Sequence, residues 1–285
     1  MNLLAASQSS QASPLAPGTT ASHTNFIVLG HARCGSNLLN RALAEHPQIR
    51  TVGEVLSNDA STREVAWNSV NRIAWTEPRG DGYRIGDDGA QFLDTKIFGK
   101  GPSRNIRAYG FKLFYDHARF DQASATAWDY IVADRDIKVI HLVRHNLLQA
   151  LVSLEVAVRT QQWHRLIEDS SPIPPPLPAF PLEPNRCLEY FNQITEWRSV
   201  ANHSFASHNM LTVQYESELC QNFEDTTSRI FDFLGLLRWY ARPGMVKQQA
   251  IPTSRQLSNF NQLRDFFSGG PYEDFFANDA LLVAK

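Results

Sequence analysis

Apolar residues along the chain fall into two textures. Short unbroken runs stand at Phe26-Ile27-Val28-Leu29, Tyr109 to Phe114, Lys138 to Val143 and Met210 to Val213. Each is too short for a buried helix and predicts a buried strand. Gln48 to Gly53 predicts another. Between them apolar positions recur every three or four residues, which predicts amphipathic helices. The first carries Leu38, Leu39, Ala42 and Leu43. A second covers 61–75, with Val65, Val70, Ile73 and Ala74 apolar and Trp67 and Trp75 at its edges. A third opens near Asn146 with the stripe Leu147, Leu151, Leu154 and Val158, and Gln161 to His164 closes it. Arg186 to Ala206 carries Leu188, Phe191, Ile194, Trp197 and Val200, and Asn222 to Leu237 carries Phe223, Ile230, Phe231 and Leu234. Strands alternating with helices predict an α/β fold, a largely parallel sheet flanked by helices on both faces.

Two stretches break the pattern. Glu77 to Gly89 is glycine-rich and charged, which predicts a loop. Six prolines in the stretch from Ser171 precede Pro184, so 171–184 is an extended, polyproline-like connection. It covers an acceptor pocket or serves as a spacer.

The segment around the first strand carries the chemistry. Phe26 to Leu29 runs into Gly30-His31-Ala32-Arg33-Cys34-Gly35-Ser36 and then into a helix, with Ser36 or Asn37 placed to cap it. Strand, glycine loop and helix form an anion cradle, because loop amides and the positive end of the helix dipole converge. Gly30 and Gly35 keep the spacing of the triphosphatase motif G-x-x-x-x-G-K-[ST], which makes the architecture P-loop-like. Ser36 occupies the lysine position, however, and Asn37 the magnesium-binding one. The loop's cation is Arg33. These residues suit a phosphate-like group held without magnesium, and an ordinary strand-to-helix turn is the bland alternative.

Other chemistry gathers at strand ends, where α/β sheets place their sites. Glu54 follows the second strand and is either a general base or a solvated loop residue. Lys112 sits inside an apolar strand, where an ammonium needs an anion or water, and His117 follows it. Arg144 ends the strand Lys138–Val143. Ser153 falls off the stripe of the helix that follows. An arginine fork and a hydroxyl so placed can clasp one phosphate.

Composition adds limits. A chain of 285 residues, 43% hydrophobic, can bury a sizeable core as one domain over 24–285. Residues 1–23 are rich in Ser, Ala, Thr, Gln and Pro and read as a disordered tail. A net charge of −2 gives no reason to expect nucleic acid. No run is long enough to span a membrane. Three cysteines, Cys34, Cys187 and Cys220, show neither CxxC nor metal spacing. That favours a reducing, cytoplasmic compartment and no metal. A helix N-terminus can lower the thiol pKa of Cys34, yet it lacks a local partner as a nucleophile. A homodimer is compatible with the sequence, which leaves oligomeric state open.

With these residues in view, Gly30 to Leu39 resembles the 5′-phosphosulfate loop of sulfotransferases that use 3′-phosphoadenosine 5′-phosphosulfate (PAPS), whose product is PAP. Arg144 and Ser153 resemble that family's 3′-phosphate site. Their nine-residue interval and the wording LLQALVSL are similar to the bacterial branch that includes trehalose and nodulation-factor sulfotransferases. Tyr215-Glu216-x-x-Leu219 resembles the strand-end motif. Arg255-Gln256, Asn259 to Leu263 and Gly269 to Tyr272 resemble the C-terminal tail. The chain departs from the pattern at Cys34 and Asn37, where Ser and Ser or Thr are usual.

The resemblance implies a donor site of Arg33, Cys34, Gly35, Ser36, Asn37, Leu38, Arg144, Ser153, Tyr215 and Arg255. It implies Glu54 as base, with Arg33 and possible help from Lys112 on the leaving oxygen, and His117 as the alternative base. The acceptor it implies is a small-molecule or glycan hydroxyl, a carbohydrate or glycolipid first. A P-loop kinase and a non-catalytic PAP-binding relative are the rivals.

Overall fold

The computed structural model describes residues 23–60, 62–63, 88–99, 105–118, 121–168, 170, 175–245 and 251–277. Five strands, β1 (Thr24–Gly30), β2 (Ile49–Val52), β3 (Ala108–Phe114), β4 (Lys138–Val143) and β5 (Met210–Gln214), form one sheet in the order β2-β3-β1-β4-β5. All pairings are parallel. The α/β reading and the strand positions therefore hold within a residue or two.

β1 is central and wholly buried from Phe26 to Leu29, as an unbroken apolar run between two layers must be. On one face Phe26, Val28, Ile140, Leu142 and Val213 meet α1 (Ser36–Glu45) and α6 (Phe223–Leu234). On the other, Ile27, Leu29, Phe111 and Val139 pack with α3 (Gln122–Ala133), α4 (Leu147–Thr160) and α5 (Pro184–Ser204). The short α2 (Gly89–Phe92) is capped by Asp88, where a loop was expected to end. The C-terminal α7 (Thr253–Gln256), α8 (Phe260–Phe267) and α9 (Asp274–Ala277) complete that second layer. Register aligns the carboxyl ends: Gly30 lies beside Phe114 and Leu29 beside His141. The segments leaving β1, β2, β3 and β4 consequently meet at one rim.

Some expectations shift. The helix at 61–75, its tryptophans Trp67 and Trp75, and the tail 1–22 fall largely or wholly outside the described residues. In α4 the buried positions are Leu147 to Val152, Val156 and Ala157, while Val158 is exposed. The helix start is sunk on nearly all sides, so a single stripe does not describe it. α6 stops at Leu234, short of Leu237, because Gly235 turns left-handed (φ 77°) and closes the end through its own N–H and that of Leu236. The proline-rich connection has no helix or strand over 175–183, and Phe180 bridges to Leu257.

Candidate active site

The loop after β1 is shaped by two left-handed residues, Arg33 (φ 68°) and Gly35 (φ 99°). Gly35 is the cap of α1, and no side chain caps that helix. The expected caps are otherwise engaged. Ser36 is buried in the first turn, and the Asn37 side-chain oxygen accepts from Lys112. The positive end of α1 thus lacks a capping side chain, as an anion site requires. A Cβ on Gly35 would strike the Tyr215 ring, so the loop needs glycine for both conformation and space.

Tyr215 begins the wide helical turn Tyr215–Cys220 that follows β5. The Arg144 guanidinium lies over its ring, 4.6 Å from the centroid. Arg144 is 4% exposed. Its Nη1 donates to the Arg33 carbonyl at 2.8 Å and its Nη2 to Gln149 Oε1 at 3.3 Å. Its Nε has no hydrogen-bond partner, and no carboxylate pairs with it among the described residues. Arg33 Nε donates to Ser153 Oγ at 3.0 Å and its Nη1 to the Trp163 carbonyl at 2.6 Å. Burial, with help from Arg144, pulls the Arg33 pKa down to about 10. Arg33, Arg144 and Ser153 therefore form one cluster, in which Ser153 meets Arg33 directly.

One strand away a second cluster stands at the ends of β2 and β3. Lys112 Nζ pairs with Glu54 Oε1 at 2.9 Å as well as with Asn37. Glu54 Oε2 faces His117 Nε2 at 3.9 Å. His117 Nδ1 accepts the Phe114 amide at 3.2 Å, so the neutral ring carries its proton on Nε2. Burial holds its pKa below the usual value. A ring that presents N–H to the site is a poor base, whereas Glu54 Oε2 presents a lone pair. The pair Glu54 and His117 is thereby separated into acceptor and donor.

Cys34 is fully buried and hydrogen-bonded into the loop, its N–H to the His31 carbonyl at 3.1 Å. Burial raises its thiol pKa, opposite to the lowering its loop position suggested, so it packs and does not attack. Leu38 packs against the α1–α6 layer. Arg255, on α7, is exposed, and no hydrogen bond or ion pair among the described residues joins it to either cluster.

The structure adds residues the sequence did not single out. Gln149 and the Trp163 carbonyl hold the two arginines. Beneath the loop His31 Nδ1 donates to the Ala32 carbonyl at 2.9 Å, leaving Nε2 a buried acceptor without a partner. Tyr115 Oη and His141 Nε2 share a hydrogen bond at 2.6 Å. Burial lowers His31 to about 3 and His141 to about 4. Only His31's place in the loop was a sequence signal; the rest depend on long-range contacts.

The family described as sulfotransferase domain matches residues 23–266. Nodulation protein H of Rhizobium meliloti (strain 1021) is 27% identical over 264 residues, 89% of this chain and 96% of that protein. Nodulation protein H of Rhizobium tropici is 26% identical over 261 residues, 89% and 93%. A crystal structure of a sulfotransferase from Alicyclobacillus acidocaldarius superposes with a TM-score of 0.47 at 14% identity, covering 91% of this chain and 98% of that one.

Proposed function

The chain belongs to the sulfotransferase domain family, and we propose that it transfers the sulfuryl group of PAPS to a hydroxyl of a carbohydrate or glycolipid acceptor. One observation carries the donor: Arg144 is buried, cationic and without a carboxylate among the described residues, beside a helix start that no side chain caps. A buried cation of this kind is stable only with an anion against it. Two phosphates and a sulfate on one nucleotide fit two arginines, a serine hydroxyl and a helix N-terminus. When bound, PAPS supplies an activated sulfuryl group whose leaving group is a phosphate.

The residues divide the work. Arg33 and the loop from Gly35 to Leu38 hold the phosphosulfate, and Arg144 and Ser153 hold the 3′-phosphate. Tyr215 supports the Arg144 guanidinium, and the family resemblance adds Arg255, exposed on α7, to the donor site. Glu54 Oε2 takes the acceptor proton. Lys112 fixes Glu54 through Oε1 and stands by to meet negative charge on the departing oxygen. His117 Nε2 stands 3.9 Å from Glu54 Oε2, and its Nδ1 lone pair is taken by the Phe114 amide.

The acceptor class rests on the resemblance to carbohydrate-acting bacterial members. Trp163, 46% exposed with its carbonyl on Arg33, offers an aromatic face at the mouth of the site. The test is calorimetric titration with PAP and with ATP plus magnesium, followed by PAPS turnover on sugars, glycolipids and phenols. Binding of PAP and turnover on a sugar support the reading. Preference for magnesium-ATP, or PAP binding without turnover on any hydroxyl, refutes it.

A further inference from the structure

We propose that Asn37 is a positioning residue that aims the Lys112 ammonium at the oxygen leaving sulfur, an assignment that rests on the function proposed above. Asn37 is the second residue of α1, and Lys112 lies on β3, 75 positions away. Lys112 Nζ donates to Asn37 Oδ1 at 2.5 Å and to Glu54 Oε1 at 2.9 Å. An ammonium has three N–H donors and no acceptor. The amide oxygen of Asn37 must therefore face Lys112, and its NH2 is turned away. Two acceptors, one from the helix start and one from the segment after β2, hold the ammonium against rotation and set the direction of its third N–H. That third N–H has no hydrogen-bond partner among the described residues, and the Phe114 ring centroid lies 5.9 Å from Nζ.

The contact with Asn37 also ties this ammonium to the anion cradle. Nζ is a single hydrogen bond from the first turn of α1, the helix start that no side chain caps. In the proposed transfer the acceptor oxygen bonds to sulfur and its proton passes to Glu54 Oε2. The cleaved S–O bond leaves its electron pair on the 5′-phosphate oxygen, and the third N–H of Lys112 meets that charge. A neutral acceptor suits the task. It holds the cation without adding negative charge beside an incoming anion, as an acid here would. Asn37 is also a point where the chain departs from the Ser or Thr usual in the family it resembles. A hydroxyl on Cβ stands one bond short of the Asn37 oxygen.

Asn37→Ser in the full chain shortens the side chain and keeps a polar group. It should lower kcat about tenfold, as for a donor left in place but poorly oriented, while PAP affinity by calorimetry stays within about twofold. Combined with Lys112→Met, the same change should cost no further turnover, since nothing is left to position. Wild-type kcat in Asn37→Ser overturns the assignment, whether or not the melting temperature falls, because the contact then only holds the fold. Equal losses in kcat and in PAP affinity, or a further loss on top of Lys112→Met, overturn it too, because Asn37 then acts on the nucleotide itself. A wild-type protein that binds no PAP overturns the proposed function and this assignment together.

Discussion

Arg144 and Lys112 are buried almost equally, at 4% and 5% exposure, on strands that flank β1 on either side. Their surroundings differ. Lys112 is satisfied inside the protein by Glu54 and Asn37. Arg144 meets a carbonyl, an amide oxygen and a tyrosine ring, but no acid among the described residues. Both positions cost desolvation, yet only one is offset by an internal charge. The function proposed above has the paired cation act through its partner and the unpaired one act on a bound anion. In the proposed reading, one rim carries a chemistry half at β2 and β3 and a binding half at β1 and β4.

The sharpest way to break this division is Glu54→Gln. It should lower turnover by about 10²–10⁴-fold, the range of a lost general base, with PAP affinity nearly unchanged by calorimetry. Full activity would move the base elsewhere and dissolve the chemistry half. Arg144→Met should weaken PAP binding about 30-fold or more, as for truncation of a buried charge contact. If PAP affinity survives, the unpaired arginine is not a ligand site. Lys112→Met should show the reverse balance. It should lose about 1–3 kcal/mol of unliganded stability in urea titrations, because Glu54 keeps a carboxylate without its cation, and it should lose little PAP affinity. Equal behaviour of the two variants would erase the contrast.

A smaller effect comes from the buried imidazoles. His31 and His141 are held to about 3 and about 4 against an ordinary 6.5. Between those values the unfolded chain binds protons that the folded chain refuses. Stability is therefore full above pH 6.5 and falls as the pH drops toward 4. Urea midpoints measured between pH 7 and 4.5 should decline, and His141→Gln should flatten the decline. A midpoint that rises on acidification would show that these rings are charged in the folded state.

Much of this rim was legible in the sequence, for a physical reason. Runs such as Lys138 to Val143 have one stable home, between two layers, and the residues just past them must emerge at the carboxyl edge. That reasoning put Arg33, Glu54 and Arg144 at the rim, and Ser153 came from falling off the stripe of the helix that follows. What local pattern does not encode is who meets whom. The pairing of Lys112 with Glu54 depends on the register of β2 against β3, and the meeting of Ser153 with Arg33 depends on how α4 crosses the rim. The caps failed because Asn37 had a better partner 75 positions away. Cys34 misled because its helix-start position suggested an acidic thiol while its burial opposes one.

β5 lies at one end of the strand order, and outer strands open more readily than central ones. Tyr215, at its end, is the floor under Arg144 and the wall beside Gly35. Lifting β5 away from β4 would drop that floor, so under the proposed function nucleotide capture and the fraying of the sheet's border should exclude each other. Deuterium uptake at Val213 and Gln214 should accordingly slow on adding PAP while uptake in β1 hardly changes, making a border strand the most sensitive gauge of occupancy in the molecule.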